Sequence, residues 1–125
     1  MAKIRVLVVD DSATMRGLIT AALNRDSEIE VVGAAGDPFE ARGMIKALNP
    51  DVVTLDIEMP NMNGIDFLRE LRKLPGGEQP IVVFCTTEND IEHIQEAISA
   101  GANEYIMKPF DSEIMQAKFS QVGLL

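Results

Sequence analysis

The chain has 125 residues, of which 46% are hydrophobic and 25% are charged, and this length predicts a single domain over residues 1–125. A formal net charge of −9 excludes a nucleic-acid surface that tracks phosphates, and no apolar run approaches the roughly 20 residues of a membrane span. The single cysteine, Cys85, excludes an internal disulfide framework and is typical of a protein of the reducing cytoplasm.

Short apolar runs alternate along the chain with segments of helical periodicity. We predict five strands, at 4–9, 29–35, 51–55, 81–86 and 104–107. The first, third and fourth runs are almost continuously apolar, which is typical of parallel strands covered on both faces. In the segment after the first strand, apolar residues recur at helical spacing, and they are Met15, Leu18, Ile19, Ala22 and Leu23.

Capping residues mark several of the predicted helix starts. Asp37 precedes Pro38, which suits the first helical position, and Asn89 and Asp111 stand before later helical segments. The Gly- and Pro-containing stretch 74–80 predicts a surface turn. The alternation of strands and helices predicts an α/β fold of the (βα)5 type, a parallel five-stranded sheet between two helical layers.

Ionisable and hydroxyl side chains stand at four of the five predicted strand ends. Asp10 and Asp11 follow the first strand, Asp56 the third, Thr86 the fourth and Lys108 the fifth. Ligands of open α/β sheets bind beyond the carboxyl ends of the strands, where the strand order switches. Each residue alone is ordinary for a cap, turn or strand end, but together they predict one site.

This set has a clear chemical use. Three clustered carboxylates repel one another, and a hard divalent cation such as Mg2+ neutralises them through oxygen ligands. An aspartate held beside such a cation can attack phosphorus and form an aspartyl-phosphate. Lys108 could offset phosphate charge and the Thr86 hydroxyl could donate to a phosphoryl oxygen.

Four motifs together resemble the receiver domain of two-component response regulators. They are VLVVDDS (6–12), LDIEMPNMNG (55–64), the threonine pair 86–87 and EYIMKPF (104–110). The resemblance runs from about residue 4 to the C-terminus. It implies a flavodoxin-like three-layer sandwich with strand order 2-1-3-4-5, in a signalling protein of the chemotaxis type.

The resemblance also assigns the acidic residues. It implies that Asp56 is the phosphoacceptor and that Asp11 ligates Mg2+ directly, whereas Asp10 orients the ion through water. The backbone carbonyl of Glu58 completes the protein ligands, and Mn2+ is the expected substitute. Glu58 and Glu88 flank the site, and we hypothesise that they tune the lifetime of the phosphoryl group; both are also compatible with solvated loop acids.

The remaining site residues follow from the same resemblance. Thr86 and Thr87 are expected to contact phosphate, Lys108 to pair with it, and Tyr105 to act as the switch aromatic. The peptide bond before Pro109 is expected to be cis.

The implied partners are proteins. A histidine kinase donates the phosphoryl group, and an output protein, a flagellar motor switch or a kinase-family protein, binds the face made by the fourth helix, fifth strand and fifth helix. We expect a monomer that binds neither nucleic acid nor membrane and catalyses only its own phosphorylation and dephosphorylation.

Two finer resemblances differ between the halves of the chain. Residues 31–60 resemble the regulatory domain of chemotaxis methylesterases, whereas residues 84–125 resemble single-domain chemotaxis regulators. The change falls near the turn 74–80, which is compatible with a mosaic of two subfamilies, natural or engineered.

Three other functions are alternatives. The chain could be the isolated regulatory domain of a methylesterase. A Mg2+-dependent aspartyl-phosphate phosphatase of the haloacid dehalogenase type needs Asp-x-Asp after its first strand, but Asp10 and Asp11 are adjacent and Ser12 follows. A flavin-binding flavodoxin needs a Ser- and Thr-rich phosphate loop after the first strand, and this sequence lacks such a loop there.

Overall fold

The computed structural model describes residues 3–56, 64–74, 80–86, 91–107 and 112–121. Strands and helices alternate through these ranges. The strands are β1 (Ile4–Val9), β2 (Ile29–Ala35), β3 (Val52–Asp56), β4 (Ile81–Thr86) and β5 (Glu104–Met107). The helices are α1 (Ala13–Asn24), α2 (Pro38–Leu48), α3 (Gly64–Lys73), α4 (Ile91–Ala100) and α5 (Ser112–Gln121).

The sheet has the order β2-β1-β3-β4-β5, and every pair of neighbouring strands is parallel. The predicted (βα)5 flavodoxin-like fold is therefore confirmed. Four of the five predicted strands have the predicted bounds, and β3 lies one residue further along, because the ladder still pairs Asp56 with Cys85. The chain passes from β1 out to β2 and back across to β3, so the order switches between β1 and β3.

Two apolar clusters fill the space between the sheet and its helices. On one face, side chains from α2, α3 and α4 pack against alternate residues of the sheet such as Leu7, Leu55 and Phe84. On the other face, α1 and α5 pack against Val8 and Cys85, among others. Alternation along a strand thus decides which helical layer each strand residue meets.

Side-chain caps begin the first two helices. The Ser12 hydroxyl accepts a hydrogen bond from the Met15 amide at 3.2 Å and starts α1. Asp37 accepts one from the Glu40 amide at 2.8 Å, with Pro38 in the first turn, so this predicted cap is confirmed. The predicted caps Asn89 and Asp111 lie outside the described residues.

The apolar face of α1 is wider than the part of it that is buried. Ile19 and Leu23 are buried and Met15 is partly buried, but Leu18 is 60% exposed. Leu18 is one residue before Ile19 and therefore about 100° away from it around the helix, at the edge of the stripe that meets the sheet.

Among the described residues, no helix is long and apolar enough to cross a bilayer.

Candidate functional site

Two neighbouring strands bring acidic residues together at the point where the strand order switches. Val9 of β1 pairs with Leu55 of β3, so the residues that follow them, Asp10 and Asp56, lie at the same level of the sheet. Asp10 is only 1% exposed and Asp56 6% exposed, whereas Asp11 is exposed to solvent.

These three aspartates form one cluster. Within the described part of the chain, each offers a carboxylate oxygen, and those oxygens all lie within 4.8 Å of one another. Two buried anions beside a third repel strongly in a low-dielectric surrounding, and oxygen donors of this charge suit a hard divalent cation. The chemistry of the donor set therefore fits Mg2+ or Mn2+, with the exposed carboxylate on the solvent side.

Several hydrogen bonds hold Asp10 in place. Its amide donates to the Ala35 carbonyl of β2 at 3.0 Å, and its Oδ1 accepts from the Ser12 amide at 2.9 Å. Its carbonyl oxygen accepts from Nη1 of Arg16 at 2.8 Å. The end of β1 is thus fixed to β2 and to the first turns of α1.

The Arg16 guanidinium occupies space that only glycine leaves open. A Cβ atom on Gly36, just after β2, would lie 2.9 Å from Nη1 of Arg16. The sequence pattern does not single out Arg16 or Gly36, because neither belongs to the set of strand-end carboxylates and hydroxyls.

Thr86 and Tyr105 lie on one face of the sheet, and Asp10 and Asp56 lie on the other. Phe84 pairs with Tyr105 and Thr86 pairs with Met107 across β4 and β5. Thr86 ends β4 and is 1% exposed, whereas Tyr105 is partly buried against the α2–α3–α4 cluster. The two predicted switch residues therefore lie on one face of two paired strands.

The Tyr105 ring is covered by a lysine of α5. Nζ of Lys118 lies 4.8 Å from the ring centroid, within the range of a cation–π contact. The same Nζ lies 3.5 Å from Oε1 of Glu104, which also accepts the Tyr105 amide at 2.8 Å. These contacts hold the ring against β5 in this conformation.

The structure thus brings together Asp10, Asp11 and Asp56, and it places Thr86 at the same edge of the sheet. Five predicted site residues lie outside the described residues, namely Glu58, Thr87, Glu88, Lys108 and Pro109. Cys85 is buried within the cluster on the α1 and α5 face of the sheet.

A model of the response regulator receiver domain matches residues 6–120. Among curated proteins, a protein-glutamate methylesterase/protein-glutamine glutaminase of Caulobacter vibrioides is 62% identical over 123 residues, which is 98% of this chain and 35% of that protein. One of Rhizobium johnstonii is 54% identical over 111 residues, 88% of this chain and 31% of that protein. The chain spans about a third of the length of these curated relatives.

The chain is also similar to solved structures of chemotaxis response regulators. The response regulator domain of Thermotoga maritima CheB has a TM-score of 0.82 and 35% identity, covering 96% of this chain and 93% of that one. The chemotaxis response regulator CheY4 of Vibrio cholerae has a TM-score of 0.86 and 31% identity, covering 97% and 99% respectively.

The Caulobacter vibrioides relative aligns on both sides of residues 74–80. One relative of this kind therefore matches nearly the whole chain. The mosaic interpretation stays a hypothesis, and the identity of each half to each subfamily, measured separately, is its test.

Proposed function

Because the chain belongs to the response regulator receiver domain family, we propose that Asp56 accepts a phosphoryl group at a divalent-cation site made by Asp10, Asp11 and Asp56. The observation that carries the proposal is the cluster itself, three carboxylate oxygens within 4.8 Å at the switch point of the sheet. Receiver domains bind Mg2+ at an acidic pocket of this kind.

The chemistry proposed for Asp56 is an in-line displacement. One of its carboxylate oxygens attacks the phosphorus of a phosphohistidine on a histidine kinase. The oxygen–phosphorus bond forms as the phosphorus–nitrogen bond breaks, and the electron pair leaves with the imidazole. Asp11 as a direct ligand and Asp10 through water would hold Mg2+, which would supply charge neutralisation at the phosphoryl oxygens. Lys108 and the carbonyl of Glu58 are proposed to complete the set.

The proposed output is a switch at β4 and β5. The Thr86 hydroxyl moves toward the phosphoryl group and vacates space on the face that it shares with Tyr105, and the ring then moves inward. Their common face and the pairing of their strands support this coupling. A partner protein would recognise the resulting change at α4, β5 and α5, and phosphorylation shifts the equilibrium only by its differential affinity for the two states.

We further propose that the output is a methylesterase. The support is the 62% identity to a protein named for methylesterase and glutaminase activities, of which this chain matches the receiver part. On this proposal residues 1–125 form one domain, a chemotaxis kinase is the phosphoryl donor, and the regulated catalytic activity belongs to the other part of such a protein. A single-domain regulator that binds a motor switch or kinase is the alternative, supported by the fold shared with CheY4 of Vibrio cholerae.

The test of phosphorylation is intact-mass analysis after incubation with acetyl phosphate and Mg2+. We expect a gain of one phosphoryl group that is lost in EDTA and in Asp56→Asn. The matched control is Asp51→Asn, which neutralises an exposed aspartate just before the other end of β3. Absence of an adduct on the wild-type chain with several donors, or an undiminished adduct on Asp56→Asn, would contradict the proposal.

The lifetime hypothesis for Glu58 and Glu88 has its own test. Each is replaced by glutamine, and the loss of the phosphoryl group is timed after the donor is removed. A changed rate in either variant supports tuning by that residue, and unchanged rates in both exclude it.

A further inference from the structure

We infer that Arg16 is a positioning residue for the cation site, acting through the peptide that joins Asp10 to Asp11. Its Nη1 donates to the Asp10 carbonyl at 2.8 Å. That carbonyl belongs to the planar unit that also carries the Asp11 amide and both Cα atoms. A hydrogen bond that fixes the plane therefore fixes the directions in which the two carboxylates leave the backbone. This inference rests on the proposed cation site.

Two other hydrogen bonds of Asp10 act outside that peptide. The bond from its amide to Ala35 orients the preceding peptide, and the bond from the Ser12 amide to its Oδ1 restrains the side chain. The contact from Arg16 reaches the peptide that leads into exposed Asp11. A charged donor to a carbonyl is among the stronger hydrogen bonds in proteins.

Gly36 keeps the guanidinium in place. A Cβ at this position would lie 2.9 Å from Nη1 and 3.5 Å from Cζ of Arg16. The φ angle of Gly36 is outside the left-handed region, so the backbone conformation does not demand glycine there. The absence of a side chain instead leaves room for the guanidinium, which thereby links the end of β1, the end of β2 and α1.

The sign of the effect separates positioning from simple charge. A guanidinium near three carboxylates repels an arriving cation, so if Arg16 acted only as a charge, Arg16→Gln would tighten cation binding. If Arg16 positions the carboxylates, the same substitution weakens binding. Loss of groups that orient metal ligands typically costs roughly 10- to 100-fold in affinity.

The experiment measures Mg2+ and Mn2+ affinity directly, by calorimetry and by the electron paramagnetic resonance signal of free Mn2+, without a phosphoryl donor. We expect Arg16→Gln to weaken binding by about 10-fold. The matched control, Arg25→Gln, removes the same charge at the other end of α1 and should leave affinity within about twofold.

A second pair of variants moves the guanidinium but keeps its charge. Gly36→Ala should weaken cation binding by roughly threefold, because the new methyl group displaces the flexible end of Arg16. Gly43→Ala in α2 is its control, since a Cβ there meets nothing within 4 Å. The double variant of Arg16→Gln and Gly36→Ala should bind no more weakly than Arg16→Gln alone, because both act through one contact.

A readout without cation distinguishes positioning from general damage. In EDTA, the Asp11 amide resonance should shift in Arg16→Gln and in Gly36→Ala but not in the two controls. Folding of each variant is checked by thermal unfolding, and if Arg16→Gln does not fold, Gly36→Ala carries the test.

Several outcomes would overturn the inference. Unchanged or tighter cation binding by Arg16→Gln would do so, and so would unchanged binding by Gly36→Ala. If the wild-type chain itself binds neither cation, the proposed site fails, and that result is separate from the comparison between variants.

Discussion

From the charge of the acidic cluster we predict an effect on the free energy of unfolding that is independent of phosphorylation. In EDTA, Asp56→Asn should unfold less readily than the wild-type chain, although it removes the proposed phosphoacceptor. The substitution keeps the size of the side chain and removes one of three negative charges whose oxygens lie within 4.8 Å of one another.

The size of the effect follows from Coulomb's law. At 4.8 Å, two unit charges repel by about 0.9 kcal/mol at the dielectric constant of water and by about 3.5 kcal/mol at an effective value of 20. Neutralising Asp56 removes its repulsion with Asp10, which is buried, and with Asp11, which is exposed and better screened. We therefore expect a gain of about 1–3 kcal/mol in the free energy of unfolding.

The assay is urea unfolding at pH 7 and low ionic strength, in EDTA and then with Mg2+. Asp51→Asn is the control for loss of an aspartate outside the cluster. Added Mg2+ should stabilise the wild-type chain by about 1.4 kcal/mol at ten times its dissociation constant, and Asp56→Asn by less. The gain in EDTA should shrink in about 1 M KCl. An Asp56→Asn chain that is equally or less stable than the wild type in EDTA would refute the argument from charge.

Two further predictions concern stability away from the cation. Thr54 is 1% exposed, and its hydroxyl has no hydrogen-bond partner among the described residues. Thr54→Val should therefore raise the free energy of unfolding by about 1 kcal/mol, which corresponds to about 4 °C in Tm for a chain of 125 residues. A lower Tm would contradict this prediction. Gly101 has a φ of +118°, and a Cβ there would lie 2.8 Å from Cγ of Arg72. Gly101→Ala should therefore lower the free energy of unfolding, measured in urea, by about 1–3 kcal/mol. An unchanged urea midpoint would show that the loop adapts without strain.

The sequence predicted the architecture because its two periodicities are strong and local. Continuous apolar runs mark the buried parallel strands, and the residues that end those runs predict that Asp10, Asp11 and Asp56 lie at one edge of the sheet. These patterns did not predict the order of the strands in the sheet. Only the resemblance to receiver domains supplied that order.

The sequence could not reveal contacts that depend on three-dimensional approach. The bond from Arg16 to the Asp10 carbonyl and the space at Gly36 depend on how α1 leans over the ends of β1 and β2, which no periodicity encodes. Leu18 belongs to the apolar face that the periodicity marks but is exposed, because the sheet covers only the centre of that stripe. Lys118 over Tyr105 likewise follows from the packing of α5 beside β5.

The most direct test of the central claim is to locate the phosphoryl group on the chain. The protein is incubated with acetyl phosphate and Mg2+ and reduced with borohydride, which converts an aspartyl-phosphate into homoserine, and peptides are then mapped by mass spectrometry. We expect homoserine at position 56 and not at Asp10, Asp11 or Asp51. Homoserine at any of those three positions, with aspartate intact at 56, would contradict it.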